Sequence, residues 1–120
     1  MKPKLISMGH KHGEAPSWAA WLDVTHFRNP YPIKTLRNLS GTHWKIAEYI
    51  INDSRFKYAY EGLLNSVRSM IECGEMVIYI ACTGGQHRSV YLAERLARDL
   101  NFDVAHRDLR FPSGNLVREN

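Results

Sequence analysis

The stretch Glu75-Met76-Val77-Ile78-Tyr79-Ile80-Ala81-Cys82-Thr83-Gly84-Gly85-Gln86-His87-Arg88-Ser89 decides how this chain folds. Residues 75–82 are β-branched and aromatic, with little polar–apolar alternation. That composition predicts a strand buried on both faces, as in a parallel sheet. Two glycines then break the strand. Val90, Ala93, Ala97 and Leu100 follow at helical spacing. The glycines permit a sharp turn and a close backbone approach to a ligand. The helix entered near His87 presents N–H groups without intrahelical partners, and its dipole favours an anion there. Cys82 to Ser89 is therefore predicted to be a phosphate-binding loop. Arg88 offers a bidentate contact to phosphate oxygens, Thr83 and Ser89 offer hydroxyls, and His87 offers a ring donor. No GxxxxGK[ST] motif occurs, which excludes ATP hydrolysis by that route.

Outward from this stretch, the chain alternates strands and helices. Leu5–Met8 is a candidate strand, ended by the polar turn Gly9-His10-Lys11-His12-Gly13. A second strand is predicted around Trp21–Val24, before the proline loop Arg28-Asn29-Pro30-Tyr31-Pro32. Ser40-Gly41-Thr42 offers an N-cap for a helix carrying Ile46, Ala47, Ile50 and Ile51. Ser54 offers another cap for a helix with Phe56, Tyr60, Leu63, Leu64, Val67, Met70 and Ile71 on one face, and Gly74 is its natural C′ residue. Phe102–His106 is the last candidate strand. The order β-β-α-α-β-α-β predicts an α/β fold: one domain over residues 1–120, a sandwich with a small, mostly parallel sheet and about three helices. Ligands in such sheets bind beyond the carboxyl ends of the strands, where the glycine loop lies.

Composition is that of an ordinary globular domain, with 44% hydrophobic and 23% charged residues. The longest apolar run, Met76–Cys82, is far too short to span a bilayer, and no signal-peptide pattern opens the chain. A cytoplasmic protein with no membrane partner is expected. Cys73 and Cys82 lack zinc-site spacing and are expected to be reduced thiols. The net charge of +4 is compatible with a polyanionic partner without requiring one.

Two chemistries fit the loop. Cys82 and Arg88 stand in C-x5-R spacing followed by Ser89, which resembles the signature of cysteine-dependent phosphatases. A thiolate at a helix N-terminus beside Arg88 is activated for attack on phosphorus. The residue before Cys82 is Ala81, not that family's usual histidine, and Asp23 and Asp108 are the candidate general acids. The favoured reading makes Cys82 a small apolar residue ending a buried strand and the loop a binding site without catalysis or cofactor.

A second resemblance covers most of the chain. Cys82 to Tyr91, Ala93-Glu94 and Leu96-Ala97 resemble the C-terminal domain of the RNase adapter family RapZ. Ser7 to Gly13 resembles its SFGFKxG segment, and Asp23-Val24 with Asn29-Pro30 its DVR…PNP segment. Leu36-Arg37 with Ser40-Gly41 resembles its LRxxTG turn, and His106-Arg107-Asp108-Leu109 its HRxL segment. The resemblance implies a fold similar to a sugar-phosphate kinase subdomain and a regulatory adapter role. It also implies two partners, a phosphorylated amino sugar (glucosamine-6-phosphate) and a structured small RNA. Thr83, Gly84, Gly85, Gln86, His87, Arg88, Ser89, Lys11 and His12 become the expected ligand residues. Lys11, Arg28, His106 and Arg107 become the expected RNA contacts. The family's separate N-terminal P-loop ATPase domain has no counterpart in this sequence, so ATP binding is not carried over. Three departures stand out. Thr25 replaces the arginine after Asp-Val, Tyr31 replaces the histidine after Asn-Pro, and the tail Arg110–Asn120 is only weakly basic. Homo-oligomerisation suits RNA presentation.

Other residues have plainer readings. His10 and His12 alternate as metal ligands do, but no third ligand is identifiable and no metal is expected. His26 and Arg28 are equally readable as pocket edge or solvated loop. Trp18, Trp21 and Trp44 are expected in packing roles rather than stacked on bases. Lys2, Lys4, Lys11, Arg28, Lys34 and Arg37 form a phosphate-tracking surface only if the fold gathers them around the glycine loop.

Overall fold

The computed structural model describes residues 1–112 and Gly114. The strands are β1 (Lys4–Gly9), β2 (Ala20–Asp23), β3 (Val77–Cys82) and β4 (Asp103–His106). The helices are α1 (Trp44–Ile51), α2 (Phe56–Glu72) and α3 (Arg88–Leu100), and a 3₁₀ turn, His10–His12, follows β1. The sheet order is β2-β3-β1-β4 and every pairing is parallel. The α/β fold with a small parallel sheet and three helices is as the sequence predicts.

The central strand is buried on both sides, as its composition requires: Ile78, Tyr79, Ile80, Ala81 and Cys82 are each at most 9% exposed. Ile78, Ile80 and Cys82 join Leu5 in one core with Ile46 and Ile50 of α1, Leu63 and Val67 of α2, and Leu92 and Leu96 of α3. Each such side chain contributes roughly 1.5–3 kcal/mol of hydrophobic stabilisation. Tyr79, Ala81 and Met8 face the other way. There Ala15 and Ala19, from the chain between β1 and β2, cover them in place of a helix.

Helix ends show where local chemistry was redirected. Gly74 ends α2 as predicted, with φ +99°; its amide reaches the Ile71 carbonyl and that of Glu75 reaches Met70. With its amide so used, Glu75 stays out of the strand, and β3 starts at Val77. The predicted Ser40–Thr42 cap is corrected: His43 caps α1, its Nδ1 accepting from the Lys45 amide at 3.1 Å. Ser40 Oγ is spent locally on the Thr42 amide. The Gly41 amide donates to the Gln86 carbonyl at 2.7 Å, so this turn fastens the glycine loop. The Ser54 cap is likewise corrected, since Asp53 accepts from the Arg55 amide and pairs with its guanidinium.

The topology creates the site. From β1 the chain travels to β2 at one edge, and from β3 to β4 at the other. The connections leaving these two central neighbours diverge and open a crevice beyond their carboxyl ends. There the turn after β1 and the loop after β3 touch, and a Cβ on Gly9 would stand 2.4 Å from the Gly84 carbonyl carbon.

Gly9 has an ordinary extended backbone (φ −115°), so alanine is penalised there by collision alone. Gly9→Ala is expected to destabilise by about 1–3 kcal/mol. Gly62→Ala, in α2 with open space around it, should stabilise by about 0.5–1 kcal/mol. Urea unfolding of the two variants checks the contrast; equal effects would refute the close approach.

Candidate functional site

Between the two loops lies a cleft of about 230 Å³ lined by Lys11, Asn29, Tyr31, Cys82, Thr83, Gly84, Gln86, His87, Arg88 and Phe111. The loop's carbonyls hold it in place. Thr83 accepts from the Lys11 amide, Gln86 from the Gly41 amide, His87 from the Tyr91 amide, and Gly84 from the Gln86 side chain. None of the amides of Thr83 through Ser89 donates a hydrogen bond among the described residues. The amides at the start of α3 are among these unpaired donors.

Two cations border these donors. Lys11 lies over Gly84, where an added Cβ would meet its Cε at 3.8 Å and its Nζ at 4.0 Å. Arg88 is buried. Its Nη1 donates to the Thr25 carbonyl at 2.5 Å and to Phe27 at 3.4 Å, so it ties the chain after β2 to the first turn of α3 while lining the cleft. No carboxylate is among the lining residues. The cleft is therefore electropositive.

His87 is 7% exposed, and its Nε2 has no hydrogen-bond partner among the described residues. Burial pushes its imidazole below the usual histidine range and the Arg88 charge adds to this. The Arg37 and Leu39 carbonyls pull the other way without closing a bond to Nε2. Its ring sits 5.8 Å from that of Phe111.

Cys82 belongs to the core as well as to the cleft floor, and its Sγ donates to the buried Ser89 Oγ at 3.1 Å. The proton donors that a phosphatase needs are elsewhere. Asp23 accepts from His10 at 3.0 Å and Thr25 at 2.6 Å. Asp108 Oδ2 accepts from the Gly9 amide at 2.8 Å and pairs with Arg107 at 2.9 Å. Neither lines the cleft. Both candidate general acids are thus committed to partners outside the cleft lining.

The expected ligand set is only partly gathered. Lys11, Thr83, Gly84, Gln86, His87 and Arg88 line the cleft; Gly85 backs onto Gly9, Ser89 lies beneath, and His12 faces away toward Arg110 at 2.9 Å. The Gln86 side chain is used internally. Its Nε2 donates to Gly84 and Asp108 carbonyls, and its Oε1 accepts from the Arg110 and Phe111 amides. It thereby straps residues 108–111 across the loop. Phe111 is a wall the sequence reading missed. Tyr31 and Asn29 were legible only as part of a resemblance.

The expected RNA contacts are only partly brought together, Arg107 reaching the turn that carries Lys11. Arg28 stacks on Tyr49 at 4.0 Å in another groove, and His106 bridges Ser7 and Glu94 at 2.7 Å each. Arg107 is bound to backbone carbonyls. The Lys2 ammonium reaches Asn101 at the C-terminal end of α3, and Lys4 opens β1, so both lie at the far end of the sheet. Trp18 is 70% and Trp21 50% exposed, the former more than a packing role predicts. Among the described residues no His/Cys/Asp/Glu group fit for a metal occurs, and no helix is long and apolar enough to cross a membrane. Of the weakly basic tail, Ser113 and residues 115–120 lie outside the described residues.

Comparison with known proteins places these features in a family. The model of the RapZ C-terminal domain matches residues 1–110. A nucleotide-binding protein of Staphylococcus carnosus is 38% identical over 92% of this chain and 40% of its own length. One of Deinococcus radiodurans is 36% identical over 89% of this chain and 42% of its own. The chain thus spans about two fifths of the length of these curated relatives.

The buried histidine gives stability a pH dependence. As pH falls through 6.5, the unfolded chain takes up a proton that folded His87 resists, so stability drops. A second loss follows below 3.8. Burial alone would raise Asp23 and Asp108, but hydrogen bonds from Thr25 and His10, and from Arg107 and the Gly9 amide, hold them lower. Urea unfolding between about pH 7 and 5 should show the first loss in the wild type and not in His87→Gln. An unchanged slope in the variant would assign it elsewhere.

Proposed function

The chain belongs to the RapZ C-terminal domain family, and we propose that it is a regulatory binding module that holds the phosphate group of a small phosphorylated molecule in the cleft between the Gly9–Gly13 turn and the Thr83–Ser89 loop. Family membership supports the regulatory or adapter-type role. The observation that carries the ligand class is the loop's polarity, with its carbonyls bonded inward and its amides unspent. Lys11 and Arg88 add positive charge without an opposing carboxylate in the lining. Charge-assisted hydrogen bonds to an oxyanion are worth about 1.5–3 kcal/mol each, enough for a few to fix a phosphate. An amino-sugar phosphate is the first ligand to try, with Asn29, Tyr31 and Phe111 as walls for its ring. The reading is of binding without turnover, because neither Asp23 nor Asp108 borders the cleft.

Structured RNA is the second ligand of this surface. What favours it is the exposed basic pair of Lys11 in the cleft lining and Arg110 on the strap that crosses the glycine loop, its guanidinium on His12. Phosphates of a folded RNA suit such a surface better than unstacked bases do.

In a thermal shift assay, inorganic phosphate or glucosamine-6-phosphate at a hundredfold excess over Kd should add about 2.7 kcal/mol of stability. Unphosphorylated glucosamine should add none, and Lys11→Ala should need more ligand for the same shift. Absence of any shift with phosphorylated compounds would sink the proposal. An aryl phosphate should bind without turnover; release of the phenol, abolished by Cys82→Ser, would restore the phosphatase reading. For RNA, a gel shift should weaken steeply between about 50 and 200 mM salt. It should also weaken in Arg110→Ala; insensitivity to both would remove RNA from this surface.

A further inference from the structure

Lys11 makes no side-chain hydrogen bond or ion pair among the described residues, so its place over Gly84 comes from the backbone that carries it. That backbone is a single 3₁₀ turn between glycines, too short to be rigid by itself. What holds it comes from the far end of the chain. Arg107, just past β4, donates through Nη2 to the Gly13 carbonyl at 2.7 Å and to Gly9 at 3.4 Å, and through Nη1 to Glu14 at 3.1 Å. One planar fork thus grips the turn at both ends, a geometry that lysine cannot reproduce. Asp108 completes the clamp, pairing with Arg107 and accepting from the Gly9 amide. The Lys11 amide, on the Thr83 carbonyl at 3.2 Å, joins the gripped turn to the loop. Arg107 does not line the cleft, and Asp108 offsets its charge.

Resting on the anion-cleft reading above, we propose that Arg107 is a positioning residue of the cleft: it sets the Gly9–Gly13 turn so that the Lys11 ammonium stands over the glycine loop. Its influence on an anion passes through Lys11 and not through its own charge.

The test is a double-mutant cycle with inorganic phosphate as probe, read by calorimetric titration well below each variant's melting temperature. Lys11→Ala is expected to weaken phosphate about tenfold, the loss of one charged contact. Arg107→Ala should weaken it nearly as much, and Arg107→Lys should not restore it. The double variant with Lys11→Ala should be no weaker than Lys11→Ala alone. Should Arg107→Ala fail to fold, Arg107→Lys carries the same cycle. Wild-type affinity in the Arg107 variants, rescue by lysine, or losses that multiply in the double variant would each overturn the proposal. If phosphate binds the wild type but Lys11→Ala does not weaken it, this inference falls while the cleft reading stands. If the wild type binds no phosphate, both fall.

Discussion

The structure depends on one asymmetry: in the loop from Thr83 to Ser89 the carbonyls of Thr83, Gly84, Gln86 and His87 are bonded into the protein, while none of the loop's amides donates a hydrogen bond among the described residues. A loop held by both kinds of group would be a plain connection, and one held by neither would have no fixed shape. Here Gly41, Lys11, Tyr91 and the Gln86 side chain each supply a donor to a loop carbonyl. The close packing follows from the same demand. Gly9 lies against Gly84, and Gly41 against the His87 carbonyl, where a Cβ would stand 2.4 Å away. The Ser40–Thr42 turn, which locally resembles a helix cap, serves this fastening instead.

Charge placement follows the same logic. Arg88 is buried and anchored by carbonyls of the chain after β2, which fix its guanidinium in place. Lys11 is exposed, but the turn that carries it is pinned. Asp23 and Asp108 lie outside the cleft lining, each with its own hydrogen-bond partners. The cleft is lined by Lys11 and Arg88, with no carboxylate among its lining residues.

Much of the fold was legible because it rests on local composition. The apolar run 76–82 permits little except a doubly buried strand, and Gly74 and the spacing of α2 fix that helix and its end. The loop was legible for the same reason, since glycines between such a strand and a helix have few other uses. What was not legible depends on residues far apart in sequence. Nothing near Gln86 shows that its amide straps residues 108–111, and nothing near Arg107 shows that it grips carbonyls a whole domain away. Histidine at an N-cap is uncommon, so His43 was passed over for Ser40. The basic residues counted as one group include Lys2 and Lys4 at the opposite end of the sheet, a separation composition does not encode.

The sheet order also sets the tempo of self-assembly. β1, the first of these four strands in chain order, lies between β3 and β4, the last two, and Ser7 pairs in register with His106. Its permanent neighbours come from the far end of the chain, so α1 and α2 can form early while the sheet waits. Closing such long chain loops is entropically expensive before any contact repays it. The domain should therefore fold more slowly than a helical bundle of its size. A nascent chain still lacking β4 would expose one side of β1 as an open strand edge, a stage at which it is most prone to mispairing.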